Sequence, residues 1–280
     1  MVTTPRRAAV LGSPISHSRS PVLHQAAYRA LGLRHWQYGA HECERDQLTD
    51  FVDRLDSSWA GLSLTMPLKQ IALTLADRVS PEAAAIGAAN TLVVTEDGTL
   101  AANTDAVGMV DALREAGGRT QGHALIIGAG GTAQAALGAL AILGIRGETA
   151  STSVMIAVRE PSRAVAAEQT AQRLGISVRI HRFGQLPELL QRADVVISTV
   201  PQQASAVLAS LPWRSGATFF DVIYHPWPTP AARAAAAGGC AVVSGARLLL
   251  HQAAHQVRLM TGMQAPIEAM RKALETCLPG

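Results

Sequence analysis

Only Lys69 and Lys272 are lysines in this chain; the other 22 of its 24 basic residues are arginines. Lys69 closes the stretch Gly61-Leu62-Ser63-Leu64-Thr65-Met66-Pro67-Leu68-Lys69, beside a proline and among apolar residues. An ammonium can release a proton when burial or neighbours tune it, whereas a guanidinium cannot. Lysine here therefore suits acid–base work, such as protonating a ketone oxygen while hydride reaches the carbon. The alternative is an exposed lysine on the first turn of a helix, and spacing leaves both open. Asn103-Thr104-Asp105 precedes a helical pattern. Asp105 either caps that helix or orients and balances Lys69.

Two more clusters could carry chemistry. In His17-Ser18-Arg19-Ser20-Pro21 the hydroxyls of Ser18 and Ser20 share one side of an extended segment at a helix start. They form a small anion site suited to a carboxylate, or Ser20 merely caps the helix. Gly128-Ala129-Gly130-Gly131-Thr132-Ala133 fits G-x-G-x-x-A after an apolar strand and before a helix. There Gly128 permits the tight turn, Gly130 admits a pyrophosphate, and Ala133 allows close helix–strand packing. The next strand ends Val158-Arg159-Glu160, with Arg163 one turn on. Arg159 and Arg163 suit the 2′-phosphate of NADP, unless they are plain solvated arginines. Glu160 would repel that phosphate or bind a ribose hydroxyl instead, which keeps NAD open. His251 and His255 are four apart but lack the glutamate and third ligand of a zinc site, so they are expected to be packing or surface residues, with no metal.

Elements must position these groups. Short β-like runs alternate with helical patterns throughout, the signature of α/β architecture with parallel strands. Strands are expected at 8–11, 36–40, 61–64, 91–94, 99–102, 124–127, 154–158, 178–181, 194–199, 218–222 and 241–243. Helices are expected from Ser20 (as cap) to Gly32, near 45–55 and 68–78, at 105–116 and 132–143, and at 230–237 between Thr229 and Gly238. A long connection, 146–153, separates the glycine-turn helix from the next strand, and 247–278 reads as two helices broken at Gly262–Pro266. The composition, 48% hydrophobic and 16% charged with net charge +3, excludes a disordered chain and argues against a nucleic-acid binder. Cys43, Cys240 and Cys277 are odd in number and far apart, as in a cytoplasmic protein. No run is long enough to span a bilayer.

Nearly end to end, the sequence resembles the shikimate dehydrogenase family, NADP-linked enzymes that reduce 3-dehydroshikimate to shikimate. The segment Gly12-Ser13-Pro14-Ile15-Ser16-His17-Ser18-Arg19-Ser20-Pro21 is similar to G-x-P-I-x-H-S-x-S-P, and Thr65-Met66-Pro67-Leu68-Lys69 to T-x-P-x-K. Gly87-Ala88-Ala89-Asn90-Thr91 matches G-A-x-N-T, and Asn103-Thr104-Asp105 matches N-T-D. The stretches Asp221-Val222-Ile223-Tyr224 and Gly245…Leu248-Leu249-Leu250-His251-Gln252-Ala253 resemble the closing motifs. The resemblance implies carboxylate binding by Ser18 and Ser20 and substrate contacts from Thr65, Asn90, Asp105, Tyr224 and Gln252. It implies catalysis by Lys69 with Asp105, and Val222 and Gly245 near the nicotinamide. Departures are Ser63, where the family commonly has Asn; Val158-Arg159-Glu160 for N-R-T; and Ile197-Ser198-Thr199-Val200 for N-A-T-S, with Thr199 still beside the cofactor.

The expectation is thus an α/β protein of two domains with a cleft between them. Residues 1–105 with 246–280 would form a discontinuous substrate domain, and 106–245 a Rossmann-type domain for NADP, with the C-terminal helices returning to the first. The partner is a small molecule, with no nucleic acid and no membrane; a homodimer stays open. The rivals are an NAD-linked quinate/shikimate dehydrogenase and a non-catalytic NADP-binding regulator.

Overall fold

The computed structural model describes residues 5–147 and 151–278. Most of the connection expected at 146–153 is therefore described, but its centre, 148–150, lies outside the described residues. The chain divides into two compact units, Met1–Thr104 with Leu249–Pro279, and Asp105–Leu248.

The first unit is built on six strands: β1 (Arg6–Gly12), β2 (Trp36–Glu42), β3 (Trp59–Leu64), β4 (Arg78–Val79), β5 (Thr91–Thr95) and β6 (Gly98–Ala102). Their order is β2-β1-β3-β5-β6-β4. β1 runs parallel to β2 and β3, but β5 is antiparallel to both β3 and β6. Only a two-residue turn joins β5 to β6, and so short a link forces their reversal. All six residues of β3 are buried, as a central strand covered on both faces requires. Leu11, Leu62, Leu64, Leu68 and Leu92 fill one face, while Val10, Tyr28, Tyr38 and Met260 fill the other.

Two local expectations fail. Ser20 does not cap its helix; Arg19 is the cap residue and Ser20 the first helical one, with the Ser20 N–H bonded to Ser18 Oγ at 3.3 Å. The helix expected over 68–78 shrinks to Ala72–Leu75. Thr99 donates its backbone N–H and its hydroxyl to the Asp77 carboxylate, at 2.7 and 2.9 Å. That anchor pulls the chain out of the helix and lets Arg78–Val79 pair with β6. A helix over Pro81–Ile86 follows, with Ser80 as its cap and Gly87 left-handed at its end.

The second unit holds β7 (Ala124–Ile127), β8 (Val154–Val158), β9 (Val178–Arg182), β10 (Val195–Ser198), β11 (Thr218–Asp221) and β12 (Ala241–Ser244). All are parallel, in the order β12-β11-β10-β7-β8-β9. Two wound halves meet at β7 and β10, the doubly wound arrangement whose ligands lie at the strand C-termini. The helix Gly131–Ile142 is rich in alanine, and Ala133, Ala136 and Ala139 are fully buried, so it packs closely on the sheet. The helix Pro230–Ala237 begins as expected, with Thr229 accepting from the Ala232 N–H at 3.0 Å. Among the described residues no helix is long and apolar enough to cross a membrane.

Candidate active site

In the first unit, backbone bonds draw the motif segments together. Leu64 N–H donates to Asn90 O at 2.7 Å, and Ala89 N–H donates to Lys69 O at 2.7 Å. Ser13 N–H reaches Met66 O, and Thr65 N–H reaches Leu11 O. The turn carrying Thr65 and half-buried Lys69 is thereby tied to β1 on one side and to the Asn90 segment on the other. Gly12 is needed at that junction, since a Cβ there would lie 2.2 Å from Thr65 Cγ2.

Asn90 is buried and its amide orientation is fixed. Thr104 N–H donates to Oδ1 at 2.8 Å, as does the Thr91 hydroxyl at 2.9 Å. Its Nδ2 donates to Thr104 Oγ1 at 2.9 Å and to Gln252 Oε1 at 3.3 Å. Asn103 donates to Ala88 O at 2.8 Å, fastening the 103–104 segment to the 87–91 segment. Of the expected substrate contacts, Ser18 and Ser20 lie together, and Asn90 and Gln252 touch directly. Asp105 and Tyr224 belong to the second unit, where Asp105 is the buried first residue of the helix Asp105–Glu115.

Behind this group lie Ser63, noted in the sequence only as a departure, and Tyr38, His24 and Gln256, which sequence patterns did not single out. Tyr38 donates to Ser63 Oγ at 2.5 Å, and Ser63 donates to Gln256 Oε1 at 2.8 Å. Burial holds the Tyr38 phenol far above its usual range, against the lowering effect of its bond to Ser63. His24 stacks on Tyr38 with ring centroids 3.9 Å apart. Complete burial lowers its imidazole to about 4, outweighing a bond to Ser20 O, so it is neutral at pH 7. One signal was available: Gln256 lies four residues after Gln252, a second amide on the same face of a largely buried helix.

The glycine turn of the second unit follows β7. Gly128 has φ +110°, and a Cβ there would lie 2.4 Å from Thr199 Oγ1. Thr199 bonds back to Ile127 O through both its N–H and its hydroxyl. A Cβ on Gly130, by contrast, would meet nothing within 4 Å. No side chain caps the helix that starts at Gly131, so its first N–H groups, over Gly131, Thr132 and Ala133, remain for an anion. Open space at Gly130, beside uncapped amides, fits a pyrophosphate.

At the end of β8, Arg159, Glu160 and Arg163 are all exposed. Glu160 faces Arg182 of β9 at 3.9 Å, so a third guanidinium stands beside the carboxylate. Val222 follows β11, and Gly245 opens the helix Gly245–Thr261, where a Cβ would lie 2.0 Å from Val222 O. Asp221 is buried and accepts from Thr229 Oγ1 at 2.8 Å and from Ile223 N–H at 3.2 Å. Its carboxyl is pushed up by burial, which those bonds only partly offset. It anchors the turn that carries Val222 and Tyr224. His251 is buried and His255 half-buried on the last long helix. No group of three metal-ligating side chains occurs among the described residues.

A doubly wound parallel sheet with this glycine turn, joined in one chain to a second α/β unit carrying a tied-down lysine and amide cluster, defines the class of nicotinamide-dependent dehydrogenases. Residues 10–92 match the shikimate dehydrogenase substrate binding domain, and 245–275 match the shikimate 5'-dehydrogenase C-terminal domain. Residues 124–243 match the saccharopine dehydrogenase NADP binding domain. The NADP(+) shikimate dehydrogenase of Methanosarcina mazei is 35% identical over 95% of this chain and 96% of its own. The crystal structure of Mycobacterium tuberculosis shikimate dehydrogenase superposes with TM-score 0.86 at 42% identity, covering 98% of this chain and all of the other. The Thermus thermophilus enzyme in complex with NADP(H) and shikimate gives 0.82 at 31%, with 98% and 100% covered. The chain belongs to the shikimate dehydrogenase family.

Proposed function

We propose that this chain is a shikimate dehydrogenase, an NADP-dependent oxidoreductase that reversibly reduces 3-dehydroshikimate to shikimate in aromatic amino acid biosynthesis. The observation that carries the reading is the tied cluster of the first unit, in which Lys69, Asn90 and Gln252 are held by bonds among segments far apart in sequence. NADPH, when bound, supplies the hydride. Ser18 and Ser20 would hold the substrate carboxylate, while Thr65, Asn90, Gln252 and Tyr224 bind its hydroxyls. Lys69 gives its Nζ proton to the carbonyl oxygen on reduction, and Asp105 is assigned the carboxylate that orients it and contacts substrate. Residues 128–133 would receive the pyrophosphate, Arg159 and Arg163 the 2′-phosphate, and Thr199, Val222 and Gly245 would border the nicotinamide end. A cytoplasmic setting suits Cys43, Cys240 and Cys277, all left as thiols.

The test is an initial-rate assay crossing shikimate and quinate with NADP and NAD. Fast turnover with shikimate and NADP alone is expected. Comparable rates with quinate or NAD would move the protein to the catabolic branch, and silence in all four from protein that binds NADP would mark it as a binder.

A further inference from the structure

We propose that Gln256, with Thr91, Ser63 and Tyr38, is a positioning network that holds Asn90 for substrate; this rests on the reading above that Asn90 meets shikimate. The bond order can be deduced. Gln256 donates to the Asn90 carbonyl oxygen at 3.1 Å, and since a carbonyl only accepts, the atom there is Nε2. Its Oε1 therefore faces Ser63, whose hydroxyl must donate to it. Tyr38 then donates to Ser63, and its ring stacks on His24, whose Nδ1 bonds the Ser20 carbonyl oxygen at 2.9 Å. In the other direction Gln256 Nε2 also donates to Thr91 Oγ1 at 3.0 Å, and Thr91 donates to Asn90 Oδ1. One directional chain thus runs from Tyr38 through Ser63, Gln256 and Thr91 to Asn90 at the proposed hydroxyl site.

The chain is almost sealed from water: Tyr38 is 3% exposed, Ser63 4%, Gln256 1% and Thr91 0%. Hydrocarbon side chains could fill this volume without desolvating four polar groups. A fully satisfied polar chain ending on a candidate ligand contact is better explained by the orientation it imposes on that contact. It also accounts for Ser63, where the family commonly has Asn: the short serine leaves room for Tyr38 and Gln256 to meet across it.

The experiment uses the variants Gln256→Leu, Thr91→Val and Thr91→Ser, with shikimate titrated at saturating NADP, NADP titrated at saturating shikimate, and thermal unfolding followed alongside. Gln256→Leu and Thr91→Val are expected to raise KM for shikimate about tenfold and leave KM for NADP within about twofold. Thr91→Ser, which keeps the hydroxyl, is expected to stay close to the unsubstituted protein. If Gln256→Leu does not fold, Tyr38→Phe removes one oxygen, keeps the stacked ring, and should show the same split. An unchanged KM for shikimate in folded Thr91→Val, a parallel rise in both constants, or equal damage from Thr91→Ser would overturn the proposal. Turnover by the unsubstituted protein is the control: its failure strikes down the functional reading, whereas normal turnover with unmoved variant constants strikes down the positioning role alone.

Discussion

Cofactor choice rests on a contest between charges at the end of β8, and its outcome can be worked out. In the proposed site Arg159 and Arg163 would offer guanidiniums to a 2′-phosphate, and a hydrogen bond to a charged group contributes about 1.5–3 kcal/mol. Glu160 opposes them. Its side chain and that of Arg182 are 65% and 66% exposed and lie 3.9 Å apart, so water screens their attraction to about 1 kcal/mol. Repulsion between Glu160 and a phosphate at similar range has the same scale, and Arg182 offsets part of it. The arginines therefore win by about 1 kcal/mol or more. Arg159→Ala should raise KM for NADP roughly 10- to 100-fold, while KM for NAD, which lacks the phosphate, moves less than about threefold. Glu160→Gln should change KM for NADP by less than about fivefold. Initial rates with each cofactor at saturating shikimate decide the matter. Equal losses for NADP and NAD in Arg159→Ala would refute the reasoning, as would Glu160→Gln acting as the larger perturbation.

Other outcomes follow from the same geometry. Lys69→Ala should lower kcat by about 10²–10⁴ with its unfolding temperature little changed, in keeping with the acid role proposed for it; near-normal turnover would remove Lys69 from the mechanism. Gly130→Ala should fold normally, because its Cβ meets nothing within 4 Å, yet bind NADP at least about tenfold more weakly as that Cβ takes phosphate space. Gly128→Ala should instead lose about 2 kcal/mol or more in urea unfolding, through φ +110° and the collision with Thr199. His24 gives a pH effect. Unfolded, it takes a proton near 6.5, but folded only near about 4, so between those values the unfolded chain binds more protons. Stability should therefore fall as pH drops from about 6.5 towards about 4, by up to ~3 kcal/mol, and His24→Phe should remove that part of the slope when unfolding is compared at pH 7 and pH 4.5.

The fold was legible wherever local chemistry and tertiary demand agree. β7 and β8 stand where unbroken apolar runs end at a glycine turn or a charged pair, and the structure returns 124–127 and 154–158 unchanged. The helix Pro230–Ala237 follows from Thr229, Pro230 and its alanines alone. The shortened helix after Lys69 was hidden because what ends it is Thr99, more than twenty residues away, bonding to Asp77. No local propensity contains that information. The helix Pro81–Ile86 is the opposite case: Ser80, Pro81 and Gly87 are all local signals, and no expectation covered them.

Residue types revealed the ends of the candidate site but not its middle. Lys69, Ser18 and the glycine turn are conspicuous because their neighbours are fixed in sequence, so a motif can hold them. Tyr38, Ser63 and Gln256 lie in three distant segments, and each alone is an ordinary residue of a strand or helix. Their meaning comes from donor order, which exists only when Tyr38 on β2 reaches across β1 to Ser63 on β3 and the last long helix brings Gln256 to meet it. Ser63 shows the difference most clearly. In the sequence it is a missing asparagine and weakens the match to the family; in the fold it receives one hydrogen bond, gives another, and joins Tyr38 to Gln256. A departure from a family motif is therefore no loss of function until the partners that complete it have been found.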